Sequence, residues 1–329
     1  MADSLPMHAT RDATSTVRYH GALGFHPLVT VLGKWPAAAA ALASLLTGAA
    51  VVVTRQVVET VPPLPLGWMR YSIALLCLIV PLLIFARRRL SLRQFIASLL
   101  LGSLFFGVFT LCFNLGLQTV TSARAGTIVA TMPALTLLLA AAARIETLTL
   151  FKSVGVLMAL AGVSVVLGEQ ATTEAVASGA APPIDGQWWL VGAAVCGAIY
   201  NVGNRLWLSQ LPAITVAFWS MTGGVCVLTA MSAISADWPT SQMLTLASGA
   251  AVLFLGTAAG ALGFTLWIWA LSKATPTQVA VFFTLNPASA AVLGAIILNE
   301  AITASVALGM VVVLSGIVLT TLRRSGSQT

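Results

Sequence analysis

Residues 121–155 read TSARAGTIVATMPALTLLLAAAARIETLTLFKSVG, and residues 275–309 read TPTQVAVFFTLNPASAAVLGAIILNEAITASVALG. A shift of 154 residues lays the first stretch on the second without a gap. Thr121 meets Thr275, Pro133 and Ala134 meet Pro287 and Ala288, Leu139 meets Leu293, Glu146 meets Glu300 and Thr149 meets Thr303. Gly155 meets Gly309 at the end of the stretches, and Gly162 meets Gly316 just beyond. A shift of 150 residues extends the match upstream more weakly, carrying Arg55 onto Arg205 and Pro62 onto Pro212. Self-similarity at a fixed offset marks a duplicated structural unit, so the two halves of the chain are expected to fold alike.

Around this repeat the 329 residues are 58% hydrophobic and 8% charged, with a mean hydropathy of +0.97. A chain of that composition cannot hide its apolar surface from water by folding alone, so it calls for a bilayer as its solvent. A hydrocarbon core about 30 Å thick takes roughly 20 apolar residues per helical crossing. Runs of that kind, broken by charges, Pro and Gly clusters, predict helices over 36–55, 66–86, 94–117, 122–143 and 150–168, then 187–207, 212–232, 243–272, 275–298 and 303–322. The expected fold is an all-α membrane protein of ten transmembrane helices in two inverted five-helix repeats. The expected organisation is a cytoplasmic tail (1–33), a first repeat (34–168), an extracytoplasmic linker (169–186), a second repeat (187–322) and a short cytoplasmic tail (323–329). The linker is read from Glu169, Glu174 and Asp185 with Gly179, Pro182 and Pro183. Because five crossings is an odd number, the halves enter the membrane in opposite senses, which is the plan of many secondary transporters.

The charges set an orientation. Lys and Arg accumulate in cytoplasmic loops, and with both termini inside, the inner segments hold Arg11, Arg18, Lys34, Arg87, Arg88, Arg89, Arg93, Arg144, Lys152, Arg205, Lys273, Arg323 and Arg324. The outer segments keep Arg55 and Arg124 and hold Glu59, Glu169, Glu174, Asp185, Asp237 and Glu300. This scatter over helix ends and turns also argues against nucleic acid as the reason for the net charge of +7. The tail before residue 34 lacks the order of parts of a cleavable signal. Cys77, Cys112, Cys196 and Cys226 fall inside apolar runs, so no disulfide framework is expected. The expected setting is the cytoplasmic (inner) membrane, and the expected partners are lipid and a small-molecule substrate, with the chain acting as a monomer.

The run Ser122-Ala123-Arg124-Ala125-Gly126, Thr131-Met132-Pro133-Ala134, Arg144-Ile145-Glu146 and Gly155 to Gly162 resembles the helix-four-to-five signature of the EamA family in the drug/metabolite transporter superfamily. The second copy, Thr275-Pro276-Thr277, Asn286-Pro287, Asn299-Glu300 and Gly309 to Gly316, resembles it too, and Thr54-Arg55 with Arg70 is similar to the family's first two helices. Over residues 36–322 the resemblance implies a ten-helix inverted-repeat fold with a central cavity, and export of amino acids, other metabolites or toxic organic compounds. It does not single out a substrate group.

Candidate site residues follow from cost. A charged side chain deep in a membrane helix costs about 2.5 to 3.5 kcal/mol on insertion scales, and Arg70 lies a turn or so inside the second helix. It can face a cavity and pair with a substrate carboxylate, or it can snorkel to the interface and cap carbonyls. Asn286, Asn114, Tyr200, Asn201 and Asn204 can line a polar path or make ordinary interhelical hydrogen bonds. Trp219, Trp267 and Trp269 can form an aromatic wall or simply pack, whereas Trp35, Trp68, Trp188, Trp189, Trp207 and Trp238 lie where interface belts form. Pro133 and Pro287 interrupt central helices and are hinge candidates. Gly256 and Gly260 mark a close helix approach. Glu146 and Glu300 are expected to cap the helices that follow them. No Asp or Glu falls in the middle of a predicted helix, which removes the usual proton-antiport carboxylate. His8, His20 and His26 all lie in the tail, so no catalytic set, metal site or cofactor is expected. A channel or sensor without coupled transport is the alternative reading.

Overall fold

The computed structural model describes residues 36–85, 90–178, 186–208, 211–273 and 282–321. The expected tails 1–33 and 323–329, Arg87 to Arg89, and the stretch Thr275-Pro276-Thr277 lie outside the described residues.

Within them the chain is helical and carries no strand, in the order α1 (Pro36–Val57), α2 (Pro63–Phe85), α3 (Leu92–Leu117), α4 (Ser122–Ala142), α5 (Leu150–Ser178), α6 (186–208), α7 (Ala213–Ser235), α8 (246–273), α9 (Leu285–Ile297) and α10 (Ala304–Thr321). Among the described residues, seven of these have the length and apolarity to cross a bilayer. The described parts of α9 and α10 are shorter apolar helices, and α6 is diluted by Gln187, Asn201 and Asn204. Most boundaries fall within three residues of the apolar runs, because a spanning segment has no other way to satisfy its backbone. Helix α5 departs furthest, running ten residues past the expected 168 to Ser178. Residues 169–178 contain neither Gly nor Pro and are rich in Glu, Gln and Ala, which sustain a helix after the apolar stretch has ended.

The repeat is visible in local chemistry. Ser91 and Gln94 form a capping box at the start of α3, and Thr245 and Ser248, 154 residues on, form one at the start of α8. Both helices then widen into π-type turns, over Ser103–Phe109 and Leu255–Gly263. Helix α4 is broken just ahead of Pro133, at residues 130–131, and residues 283–284 form a turn just ahead of α9, which carries Pro287. There Thr131 N–H turns back to Ile128 O (3.1 Å) and Asn286 N–H to Phe283 O (3.1 Å).

Packing has the same symmetry. Helix α1 lies on α9 as α6 lies on α4, α1 on α8 as α6 on α3, and α2 on α8 as α7 on α3. Helices α5 and α10 pair with each other along a seam of small residues. A Cβ placed on Gly162 would lie 2.7 Å from the carbonyl oxygen of Gly309, and one on Gly309 would lie 2.7 Å from that of Gly162. One on Gly316 would lie 2.5 Å from Gly155 O. The 154-residue shift exchanges the two contacts, carrying Gly162 onto Gly316 and Gly155 onto Gly309 across an antiparallel seam, as an inverted two-fold axis requires.

Candidate functional site

The approach of α8 to α2 is set by glycine. A Cβ on Gly256 would stand 2.6 Å from Ile73 Cβ and 3.0 Å from Arg70 O, and one on Gly260 would stand 3.1 Å from Ala74 Cβ. This close packing half-buries Arg70. Its Nε is buried and has no hydrogen-bond partner, and among the described residues no carboxylate pairs with it. Its guanidinium carbon lies 5.2 Å from the centroid of the Tyr71 ring. A guanidinium without a counter-charge is costly in a membrane helix.

An aromatic seam continues from Tyr71. Its ring meets Phe106 edge-on at 5.0 Å, and Phe106 meets Phe264 at 5.5 Å and Tyr200 at 5.9 Å. Tyr200 stacks on Phe105 at 4.5 Å, and Phe105, Phe109 and Phe113 follow one another up α3 at four-residue spacing. Arg70 and Tyr200 therefore belong to one neighbourhood, joined through Tyr71 and Phe106.

The other candidates are distributed. Asn114 is buried and donates from Nδ2 to Pro63 O (2.9 Å), clamping α3 to the first turn of α2. Asn201 donates to Thr136 Oγ1 (3.2 Å), joining α6 to α4. Asn286 donates to Thr47 Oγ1 (2.8 Å), joining α9 to α1. Trp267 packs edge-on to Phe283 at 5.8 Å, three residues from Asn286, so these two share the α1–α8–α9 junction. Trp219 sits edge-on to Phe95 (4.9 Å) near the start of α3. Pro133 begins the second segment of α4, and Pro287 is buried against α4, where a Cβ on Gly126 would lie 3.2 Å from its Cα. Of the remaining tryptophans, Trp68 donates from Nε1 to Thr229 Oγ1 (2.9 Å) and meets Trp238 edge-on.

Two charged clusters were not assembled by the sequence reading. Glu300 accepts the Ser122 N–H at the start of α4 (Oε2, 2.8 Å) and faces Arg55 Nε at the end of α1 (Oε1, 3.6 Å). Arg55 also reaches Glu59 (2.9 Å) and Gln118 O (3.3 Å). At the other end of the bundle Glu146 pairs with Lys152 and with Arg205 Nη1 at the end of α6 (3.1 Å). Glu146 lies outside the spanning segments, and the Lys152 ammonium bonded to its carboxylate, helped by Arg205, holds it below the usual carboxylate range. The expectation that these glutamates cap the helices following them is corrected. Thr303 and Thr149 take that place, accepting from Val306 N–H and Lys152 N–H, because their hydroxyls stand at the cap position itself. The signal was present in the sequence, since Arg55/Arg205 and Glu146/Glu300 are oppositely charged pairs that both recur in the repeat.

Comparison with known proteins places this geometry. The model of the EamA-like transporter family matches residues 34–168 and 185–322. The uncharacterized transporter YoaV of Bacillus subtilis is 25% identical over 289 residues, 84% of this chain and 94% of that protein. A probable terminal-alkyne amino-acid exporter of Streptantibioticus cattleyicolor is 25% identical over 240 residues, 73% of this chain and 77% of that one. A solved crystal structure aligns with a TM-score of 0.60 at 19% identity, over 86% of this chain and 96% of its own, which is a likeness of fold.

Proposed function

We propose that this chain, which belongs to the EamA-like transporter family, is a secondary transporter that exports small organic molecules across the cytoplasmic membrane by alternating access. Amino acids and related metabolites are the first substrate class, with toxic organic compounds the second; a relative at 25% identity is named as an amino-acid exporter. The observation that carries the reading is the pair of contacts Gly162–Gly309 and Gly316–Gly155, which the 154-residue shift exchanges. Two halves related by an inverted axis offer two packings of similar free energy, open to opposite sides, and a ligand with different contacts in each shifts the balance. The break in α4 and the turn ahead of α9, with Pro133 and Pro287 just beyond them, are the elements that change shape.

The distribution of Lys and Arg puts both termini, and the Glu146 cluster, on the cytoplasmic side and the Glu300 cluster outside. Arg70 supplies the positive group for a substrate carboxylate, and the seam of Tyr71, Phe105, Phe106 and Tyr200 supplies apolar and aromatic contact beside it. The chain works as a monomer, with the bilayer and a small molecule as its partners.

The test is uptake into proteoliposomes of a panel of labelled amino acids and organic cations, with and without a pH gradient. Saturable uptake of at least one carboxylate compound, reduced in Arg70→Ala, is the expected result. Transport confined to organic cations and untouched by Arg70→Ala would remove the carboxylate site. Uptake of the whole panel without saturation would favour a channel.

A further inference from the structure

We propose that Arg55–Glu300 and Arg205–Glu146 are the two latches of the transport cycle, one at each end of the bundle, opening in alternation; this rests on the carrier reading above. The two pairs occupy corresponding places in the repeat. A shift of 150 residues carries Arg55 onto Arg205, and one of 154 carries Glu146 onto Glu300. Each carboxylate projects from a rigid mount. Arg144 and Asn299 hold left-handed φ values of 57° and 54°, and the N–H of the glutamate two residues on in the first case and one in the second turns back across six positions, Glu146 to Ala140 O (3.3 Å) and Glu300 to Gly294 O (3.2 Å). From these helix ends each glutamate reaches a helix of the other repeat, Glu300 beyond α9 to Arg55 on α1 and Glu146 beyond α4 to Arg205 on α6. A bond between the halves, at the end of the pair of helices that must part, breaks whenever that end opens. A carrier that opens one end at a time breaks them in turn.

The latches are unequal, and the inequality has a direction. The Glu300 side chain is 10% exposed and its Arg55 partner 20%, whereas Arg205 is 58% exposed. Glu300 also accepts the Ser122 N–H, fastening it to the positive end of α4. The residue corresponding to Ser122 is Pro276, which has no N–H to offer a carboxylate, and Glu146 takes Lys152 instead, where the other repeat has Val306. Charge-assisted bonds shielded from water hold better than exposed ones. The resting protein is therefore held more firmly at the Glu300 end and opens more readily at the Glu146 end. On the orientation proposed above that end faces the cytoplasm, where an exporter must load.

The experiment reads the latches without any substrate. In a variant with Cys77, Cys112, Cys196 and Cys226 replaced by Ala, Ser44→Cys places a reporter thiol on α1 at a position 2% exposed. A membrane-impermeant methanethiosulfonate is applied to right-side-out and to inside-out vesicles. Glu300→Gln is expected to raise the labelling rate about fivefold or more from one face and lower it from the other. Glu146→Gln is expected to shift labelling to the opposite face by a smaller factor. If Glu300→Gln fails to insert, Arg55→Gln, which leaves the bond to Ser122 in place, is read instead. Labelling unchanged from both faces, or shifted to the same face by both variants, overturns the proposal even where transport is normal. Opposite shifts support the latches even if every compound of the panel fails to be transported, so the two readings fail separately.

Discussion

Replacing Gly162 with Ala tests the α5–α10 seam at one of the two close contacts that the two-fold exchanges. The new Cβ would lie 2.7 Å from Gly309 O and 2.8 Å from Val313 Cγ2, whereas ordinary contact begins near 3.4 Å, so the α5–α10 seam must open by roughly 0.7 Å. Overpacking of this kind costs about 1 to 3 kcal/mol. Gly309→Ala strikes the same contact from the other helix, its Cβ 2.7 Å from Gly162 O and 2.4 Å from Val166 Cγ2, and should cost about 1 to 3 kcal/mol as well. The double variant is the discriminating one. Once the first methyl has opened the seam, the second enters a gap already widened, so the double cost should fall short of the sum by about 1 kcal/mol, well outside the additivity of independent sites. Unfolding in mixed detergent micelles, followed by helical circular dichroism for the wild type, the two single variants and the double variant, completes the cycle. Single variants as stable as the wild type, or costs that add within about 0.5 kcal/mol, would refute the reasoning that these glycines meet across a tight seam.

Asn114→Ala removes the buried bond to Pro63 O and should lower stability by about 1 to 3 kcal/mol while leaving transport specificity unchanged, read by thermal unfolding beside the uptake panel. Arg70→Ala should insert normally yet lower carboxylate transport about tenfold or more, the worth of a charge-assisted hydrogen bond, with Arg70→Lys recovering part of it; equal transport of every carboxylate would exclude Arg70. Glu146→Gln should destabilise in a pH-dependent way. The folded protein depresses this carboxyl's pKa, so its stabilisation is present above the ordinary carboxylate pKa and is lost as pH falls through the lower folded value. The difference in melting temperature between wild type and variant should be flat from neutrality to about pH 5 and shrink below about pH 4; a difference independent of pH would contradict the ion cluster.

The helices were legible because a bilayer leaves the backbone little choice: an apolar run from Pro36 or Leu150 has to become a helix. The repeat was legible because residues under shared steric constraint, Pro133/Pro287 and Gly162/Gly316 among them, survive duplication as identities. Where the glycines go was not legible, since a shift shows that Gly155 and Gly309 correspond but not that each packs against the other half's seam. The wide turns of α3 and α8 left no mark either, because Ser103–Phe109 and Leu255–Gly263 share little beyond small and apolar character. Glu300 shows the general obstacle. Its partner Ser122 is 178 residues away, and nearest-neighbour reasoning assigned it to the adjacent helix, although the recurrence of Arg and Glu in both halves held the clue. Arg70 was singled out by cost alone, and the structure adds its missing counter-charge and the aromatic seam beside it.

Counterflow tests the central claim most directly. Proteoliposomes loaded with a saturating concentration of unlabelled substrate and diluted into a trace of the labelled compound should accumulate label transiently above equilibrium, because a carrier that returns occupied from one side exchanges faster than it returns empty. That overshoot, abolished by unlabelled competitor outside, is what two inverted halves alternating around one site predict. Label that only equilibrates, at a rate indifferent to the unlabelled compound on the far side, would contradict alternating access and leave a pore in its place.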